Sequence, residues 1–266
     1  MDYSPFITTA LTDASKIANT HFGKVSGITK EEDNNQVLTT TDKEIGNFLI
    51  SQIEQAYPDH NIIDEEAGVI DKHSAFTWVI DPIDGTSNFA NGIATYGIYL
   101  GLLHGDKPIA GGAALPFFQK IYVAEKGKGT ICNGQLVYVT KEENLLSTLV
   151  AYQIDGHQEN PQETYNETKI LAEIILHCRN IRTSNSAFDA GMVVEGKYGA
   201  ILNKTSKIWD NVAQQILIEE AGGVYTDFYG NPMDYSQPLD KIKQNFAYCA
   251  ASPALHEQLQ EIIHAQ

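Results

Sequence analysis

The stretch Trp78-Val79-Ile80-Asp81-Pro82-Ile83-Asp84-Gly85-Thr86-Ser87-Asn88-Phe89 constrains this chain more than any other. Its spacing predicts an apolar strand that ends at Asp81 and a turn through Pro82 and Gly85, residues whose backbone preferences suit turns. Two carboxylates then emerge at one strand end. Asp81 and Asp84 stand three residues apart across a proline-stiffened turn, so they can converge on one point while the Ile83 carbonyl also faces inward. Oxygen-only donors of this kind suit Mg²⁺ or Mn²⁺. Residues 85–88 can open a short helix whose free N–H groups point at the same place, as a seat for phosphate. Asp-Pro and Asp-Gly are also common turn dipeptides, so the string gains meaning only if the rest of the chain supplies matching chemistry.

The chain can build such a site. It has 266 residues, 42% hydrophobic, 20% charged and 9% aromatic, which is the make-up of an ordinary globular protein and excludes disordered, collagenous and coiled-coil classes. That length suits one large α/β unit or two modest domains. Thirty-four acidic against 18 basic residues give a net charge of −16, which opposes binding to nucleic acid polymers or anionic membranes. An anionic substrate would need local help. Cys132, Cys178 and Cys249 lie far apart and are expected as small core residues. The opening residues carry neither a basic region nor a sustained apolar segment, so a cytoplasmic location is expected.

Phe6, Ala10, Leu11, Ala14, Ile17 and Ala18 predict a first helix ending near His21. Residues 26–36 read as a polar loop. A second helix is expected from Asp42, as N-cap, to about Ala56, before Pro58. From Asn61 to about Ala151, short β-branched and aromatic runs predict an antiparallel, sheet-rich half, with strands at 76–80, 96–103, 121–124 and 136–139. Residues 155–164 are polar and contain Pro161, marking a surface loop between an N-terminal part, 1–153, and a C-terminal part, 154–266. Beyond it helices near 162–177, 186–195, 210–221 and 254–264 alternate with strands near Asn180, Gly199, Gly223 and Phe246.

Asp-Pro-Ile-Asp-Gly-Thr followed by Asn-Phe after a strand resembles the signature of the inositol monophosphatase family, Mg²⁺-dependent and lithium-sensitive phosphatases. Asp64-Glu65-Glu66 resembles that family's Gly-Glu-Glu element, with Asp64 in place of the glycine. Trp209-Asp210, opening a helix that runs to Glu220-Ala221-Gly222-Gly223, resembles its second signature, although an aspartate there also reads as an ordinary helix cap. Thr39-Thr40-Thr41-Asp42 resembles its Thr-x-x-Asp segment. The resemblance implies an α/β fold in α-β-α-β-α layers, two to three Mg²⁺ ions with Mn²⁺ as a substitute, a small-molecule phosphate ester as substrate, and a homodimer.

By the same resemblance, Glu65, Asp81 and the Ile83 carbonyl hold one ion, Asp81, Asp84 and Asp210 a second, and Asp42 supports a third. Glu65 and the Thr86 hydroxyl orient the attacking water, and the Gly85 and Thr86 amides grip the phosphate, without a phosphoenzyme. Ser186 and Ala187 match residues that touch the alcohol, where Asn185 replaces a family glycine. Seven residues before Asp210, inositol-specific members carry Glu; this chain has Asn203, followed by Lys204 as a cation beside the site or an exposed surface lysine. Inositol preference is weakened accordingly. Fructose 1,6-bisphosphate, histidinol phosphate and 3′-phosphoadenosine-type nucleotides are alternative substrates on this scaffold, and a catalytically silent regulatory homologue is an alternative function.

Overall fold

Ile7, Ala10, Leu11, Ala14 and Ala18 line the buried side of α1 (Ser4–His21), which ends where its periodicity predicts. The computed structural model describes residues 2–30 and 33–265. The expected loop over 26–36 is corrected. It contains β1 (Ile28–Lys30) and most of β2 (Asp33–Leu38), paired antiparallel, while Glu31 and Glu32 lie outside the described residues. Backbone pairing needs no apolar alternation, so the polar sequence gave no sign of these strands. In α2 (Thr40–Ala56) the N-cap is Thr39, and Asp42 sits three residues beyond it. Asp42 accepts the Thr39 N–H at 2.9 Å, so the expected cap instead closes a capping box.

The next segments are β3 (Asn61–Asp64), β4 (Gly68–Ile70), β5 (Phe76–Asp84), α3 (Thr86–Ala90), β6 (Gly97–His104), β7 (Lys107–Leu115), β8 (Lys120–Glu125), β9 (Thr130–Cys132) and β10 (Gln135–Val137). Their strands form one eight-stranded sheet in the order β10-β9-β8-β7-β6-β5-β3-β4. All its pairs are antiparallel except β3 with β5. Strand β7 had no sequence signal, because Gly111-Gly112-Ala113-Ala114 has little strand propensity. Its small residues serve packing: a Cβ on Gly111 would lie 3.0 Å from the Ala213 Cα.

The chain continues through β11 (Leu149–Gln153), α4 (Pro161–His177), β12 (Asn180–Arg182), α5 (Ser186–Val194), β13 (Ala200–Ser206), α6 (Ile208–Glu220), β14 (Val224–Asp227), β15 (Phe246–Ala251) and α7 (Pro253–His264). A second sheet has the order β12-β11-β13-β15-β14, parallel through its first three strands and antiparallel beyond. β11 therefore belongs with the second sheet, ahead of the division expected after residue 153.

Three cores stack these elements into α-β-α-β-α layers. Ile7, Leu11, Ile45 and Leu49 of α1 and α2 meet Trp78, Ile80, Leu100 and Leu102 on one face of the large sheet. Val212, Ala213 and Ile216 of α6 fill the space between the two sheets, against Val79 and Tyr99 on one side and Ile201 and Tyr248 on the other. Ile170 and Ile174 of α4 and Leu255 and Leu259 of α7 cover the outer face of the second sheet. Cys178 and Cys249 are buried, Cys132 is half-buried, and all three are free thiols. No described helix is long and apolar enough to cross a membrane.

Candidate active site

Along a strand, successive side chains face opposite ways. Trp78 and Ile80 of β5 enter the core under α1 and α2, and Val79 enters the core around α6, so Asp81 also faces α6. Asp84, three residues on, would face the wrong way in an unbroken strand. Asp81 stands opposite Tyr99, however, and Asp84 opposite Gly97, so three steps on β5 match two on β6. This bulge returns Asp84 to the face of Asp81, and Pro82, which has no N–H to offer the ladder, sits within it. The expected turn after Asp81 is thus corrected to a bulged strand that ends at Asp84, with the turn at Gly85.

Asp210 arrives from the first turn of α6. It is not the N-cap: its carboxylate accepts the N–H of the cap residue Lys207 at 2.5 Å. Next to it, Asn211 accepts the Tyr225 hydroxyl at 2.8 Å and donates to the Ser206 hydroxyl at 2.9 Å, fixing the start of the helix. One carboxylate oxygen from each of Asp81, Asp84 and Asp210 lies within 4.8 Å of the other two. Glu65 leaves the end of β3, its N–H bonded to the Ile80 carbonyl at 3.2 Å, and so emerges beside Asp81.

Burial pushes the carboxyls of Asp81 and Asp84 well above the usual carboxylate range. The charges of Glu65, Asp84 and Asp210 raise Asp81 further. Asp84 is raised by Asp210 and held back by the Ala187 N–H, which it accepts at 2.6 Å. Burial also pushes Asp210 up to about 6, against the Lys207 amide. Asp81 Oδ1 is buried and receives no hydrogen bond. Crowded carboxylates with an orphaned oxygen fit a hard divalent cation, whose charge would replace the protons that the cluster otherwise retains.

The cluster lies in a cleft of about 700 Å³ that Glu65, Ile83, Gly85, Thr86, Ser186 and Asn203 also line. The Thr86 hydroxyl lies 2.9 Å from the Ile83 carbonyl and 3.0 Å from Asp42 Oδ1. Asp42 is 1% exposed and sits behind Thr86, its other oxygen taken by Thr39, so it supports that hydroxyl rather than lining the cleft. Ala187 is fully buried, and its N–H donates to Asp84. The Asn203 side chain donates to Gln153 at 3.0 Å and accepts the Thr205 N–H at 2.7 Å. Lys204 is neither beside the cleft nor a surface lysine: only 19% exposed, its ammonium lies 3.9 Å from Glu167 and 5.4 Å from the Phe228 ring centre.

Two departures from the family pattern have local explanations. Asp64, in place of glycine, keeps a negative φ, and its buried carboxylate accepts the N–H groups of Glu66 and Ala67 at 2.9 and 2.7 Å. Asn185 packs on Gly85, which has φ +83°, and a Cβ at residue 85 would come within 2.5 Å of the Asn185 amide nitrogen. Asp189 was missed in the sequence. It is fully buried in α5, accepts the Asn185 N–H at 3.2 Å and those of Ser184 and the Gln153 amide at 3.4 Å, and burial pushes it up to about 6. An acid in a helix's first turn reads as a dipole partner; the available signal was that residues 187–194 are otherwise all apolar.

Comparison with known proteins places the chain among phosphatase-family relatives. The family model for the inositol monophosphatase family covers residues 2–266. A fructose-1,6-bisphosphatase/inositol-1-monophosphatase of Aquifex aeolicus is 30% identical over 249 residues, 93% of this chain and 89% of the relative. The Nus factor SuhB of Vibrio cholerae is 29% identical over 233 residues, 87% of this chain and 82% of its own. The structure of an IMPase from Thermotoga maritima superposes with a TM-score of 0.86 at 24% identity, covering 100% of this chain and 98% of that one. The layered fold accords with the structural match, and the chain belongs to the inositol monophosphatase family.

Proposed function

We propose that this protein hydrolyses small-molecule phosphate monoesters in a Mg²⁺-dependent reaction, with water as the nucleophile. The observation that carries this reading is the convergence of Asp81, Asp84 and Asp210 within 4.8 Å of one another in an open cleft. Those three, with Glu65 and the Ile83 carbonyl, would hold the ions. Bound Mg²⁺ supplies the charge that neutralises a phosphate dianion, acidifies water and stabilises an alkoxide leaving group. The residues of the chain position the reactants. Glu65 and the Thr86 hydroxyl orient the attacking water, and Asp42, held by Thr39, fixes the direction of that hydroxyl. The N–H groups of Gly85 and Thr86, at the start of α3, receive phosphate oxygens. Ser186 and Asn203 face the alcohol part of the substrate.

Asn203 can donate as well as accept, whereas an ionised Glu only accepts. We therefore place inositol 1-phosphate below a sugar bisphosphate or a nucleotide-type phosphate in kcat/KM. The Aquifex relative's name, which pairs fructose-1,6-bisphosphatase with inositol monophosphatase, is compatible with that order. The test is phosphate release from a panel: inositol 1-phosphate, fructose 1,6-bisphosphate, histidinol phosphate and a 3′-phosphoadenosine nucleotide, each with Mg²⁺ and with a chelator. Chelator-sensitive release is expected. No release from any ester would favour a catalytically silent regulatory protein. Asn203→Glu should move the inositol-to-alternative ratio about tenfold, the worth of one charge-assisted hydrogen bond.

A further inference from the structure

We propose that His157, Glu163 and Glu167 form a second cation site, of the mixed imidazole and carboxylate type that takes Zn²⁺-like ions, and that it clamps the cleft-lining segment 154–160 onto α4. One donor atom from each of the three residues lies within 4.8 Å of the others. Glu163 and Glu167 are four residues apart on α4 and share a helix face, while His157 comes from the rim of the cleft. His157 is held in place by its backbone: its N–H donates to the Thr164 hydroxyl at 2.8 Å and its carbonyl accepts the Asn160 N–H at 3.1 Å.

Glu167 sets this cluster apart from a solvated acidic face. Its side chain is 1% exposed, and neither carboxylate oxygen receives a hydrogen bond. A further buried atom without a hydrogen-bond partner faces it, His157 Nε2 at 3.4 Å. Lys204 is the competing cation, but its ammonium lies 3.9 Å from Glu167 Oε1, beyond hydrogen-bond length, and one lysine leaves two carboxylates with a net negative charge.

The donor spacing suits a small tetrahedral ion. Ligands at the usual Zn–N and Zn–O lengths stand roughly 3.4 Å apart. His157 Nε2 is already 3.4 Å from Glu167 Oε1; Glu163 Oε2 lies 4.0 Å from the other ring nitrogen, Nδ1, and one donor atom from each of the three residues lies within 4.8 Å of the others. Glu163 is 49% exposed, which leaves the fourth position open to water. The two clusters then differ in preference: oxygen-only donors at Asp81, Asp84 and Asp210 favour Mg²⁺, and an imidazole favours Zn²⁺.

The test is equilibrium dialysis of the full chain against Zn²⁺ in excess Mg²⁺. Wild type and Asp84→Asn should each retain one Zn²⁺ per chain that His157→Asn and Glu163→Gln bind about tenfold or more weakly. Lys204→Met should tighten it by removing the competing charge. Zn²⁺ should slow amide exchange over residues 154–160 in wild type and in Asp84→Asn, and not in His157→Asn or Glu163→Gln. Glu163 is on the surface, so its variant keeps the test open if a buried substitution fails to fold. Zn²⁺ that is absent from wild type, lost with Asp84→Asn, or retained equally by both His157→Asn and Glu163→Gln would overturn the proposal. Phosphate release is a separate readout, so failure here is distinct from failure of the hydrolase reading.

Discussion

The cluster at Asp81, Asp84 and Asp210 and the cluster at His157, Glu163 and Glu167 each bring three donor atoms within 4.8 Å of one another. They differ in how the chain assembles them and in what surrounds the charge. The first joins a bulged strand to a helix more than a hundred residues away in sequence, and its acids are raised by burial and by one another. The second is built from an eleven-residue stretch, 157–167, and burial at Glu167 is opposed by Lys204 and His157. Proximity of carboxylates is common to both. The first is crowded by further carboxylates and needs a cation from solution. The second already has the Lys204 ammonium beside it, so an ion binds there by competition.

The sharpest way to break this contrast is Asp84→Asn. Removing one full charge from the oxygen-only cluster should lower kcat by two orders of magnitude or more, roughly 3 kcal/mol of barrier, with the fold intact by circular dichroism. Near-normal phosphate release would remove the first cluster from the chemistry.

Asp189 tests what a buried acid costs when amide and N–H donors, and no paired cation, surround it. Burial pushes it up to about 6, so the folded state holds its proton more tightly than the unfolded chain does. Its contribution to stability is therefore present below about pH 4 and is lost as pH rises to about 6. Asp189→Asn keeps an acceptor and removes this titration, so urea denaturation should show the variant gaining on wild type by up to about 3 kcal/mol between pH 4 and pH 7. Parallel profiles would place the buried proton elsewhere.

Lys204→Met sharpens the other side. Without the ammonium, a 1%-exposed Glu167 keeps His157 as its one ion-pair partner among the described residues, and a loss of about 1–3 kcal/mol is expected in metal-free buffer. Adding Glu167→Gln should recover most of that loss in a double-mutant cycle; additive losses would show that Lys204 acts through its packing on Phe228.

The smallest effect is expected at Gly85→Ala, about 1–2 kcal/mol by thermal unfolding, from a positive φ and contact with Asn185. Asn185→Gly in the same chain should relieve the contact and leave the dihedral cost. No relief would mean that Asn185 simply swings aside.

The sequence was legible where chemistry and periodicity are local. Helix α1 and the four later long helices lay in their apolar spacing, and Asp81-Pro82-Ile83-Asp84 was already an oxygen-rich string. The same local reading failed at β2, which is polar, at β7, which is glycine- and alanine-rich, and at Lys204, whose side chain follows its strand away from the cleft toward Glu167. Asp189 was hidden because a charge in a first helical turn has an ordinary explanation.

By itself, then, the sequence determined the helices, the family and the residues that bear charge. Tertiary structure decided which of them meet. A separation of three residues sets two aspartates on opposite faces of a regular strand, and only the pairing of β5 with β6 shows the extra residue that reverses this. Likewise, Glu167 reads as one more helical acid until burial removes its water and leaves His157 and Lys204 beside its charge. Solvation and pairing register are properties of the assembled chain, because both depend on neighbours far away in sequence.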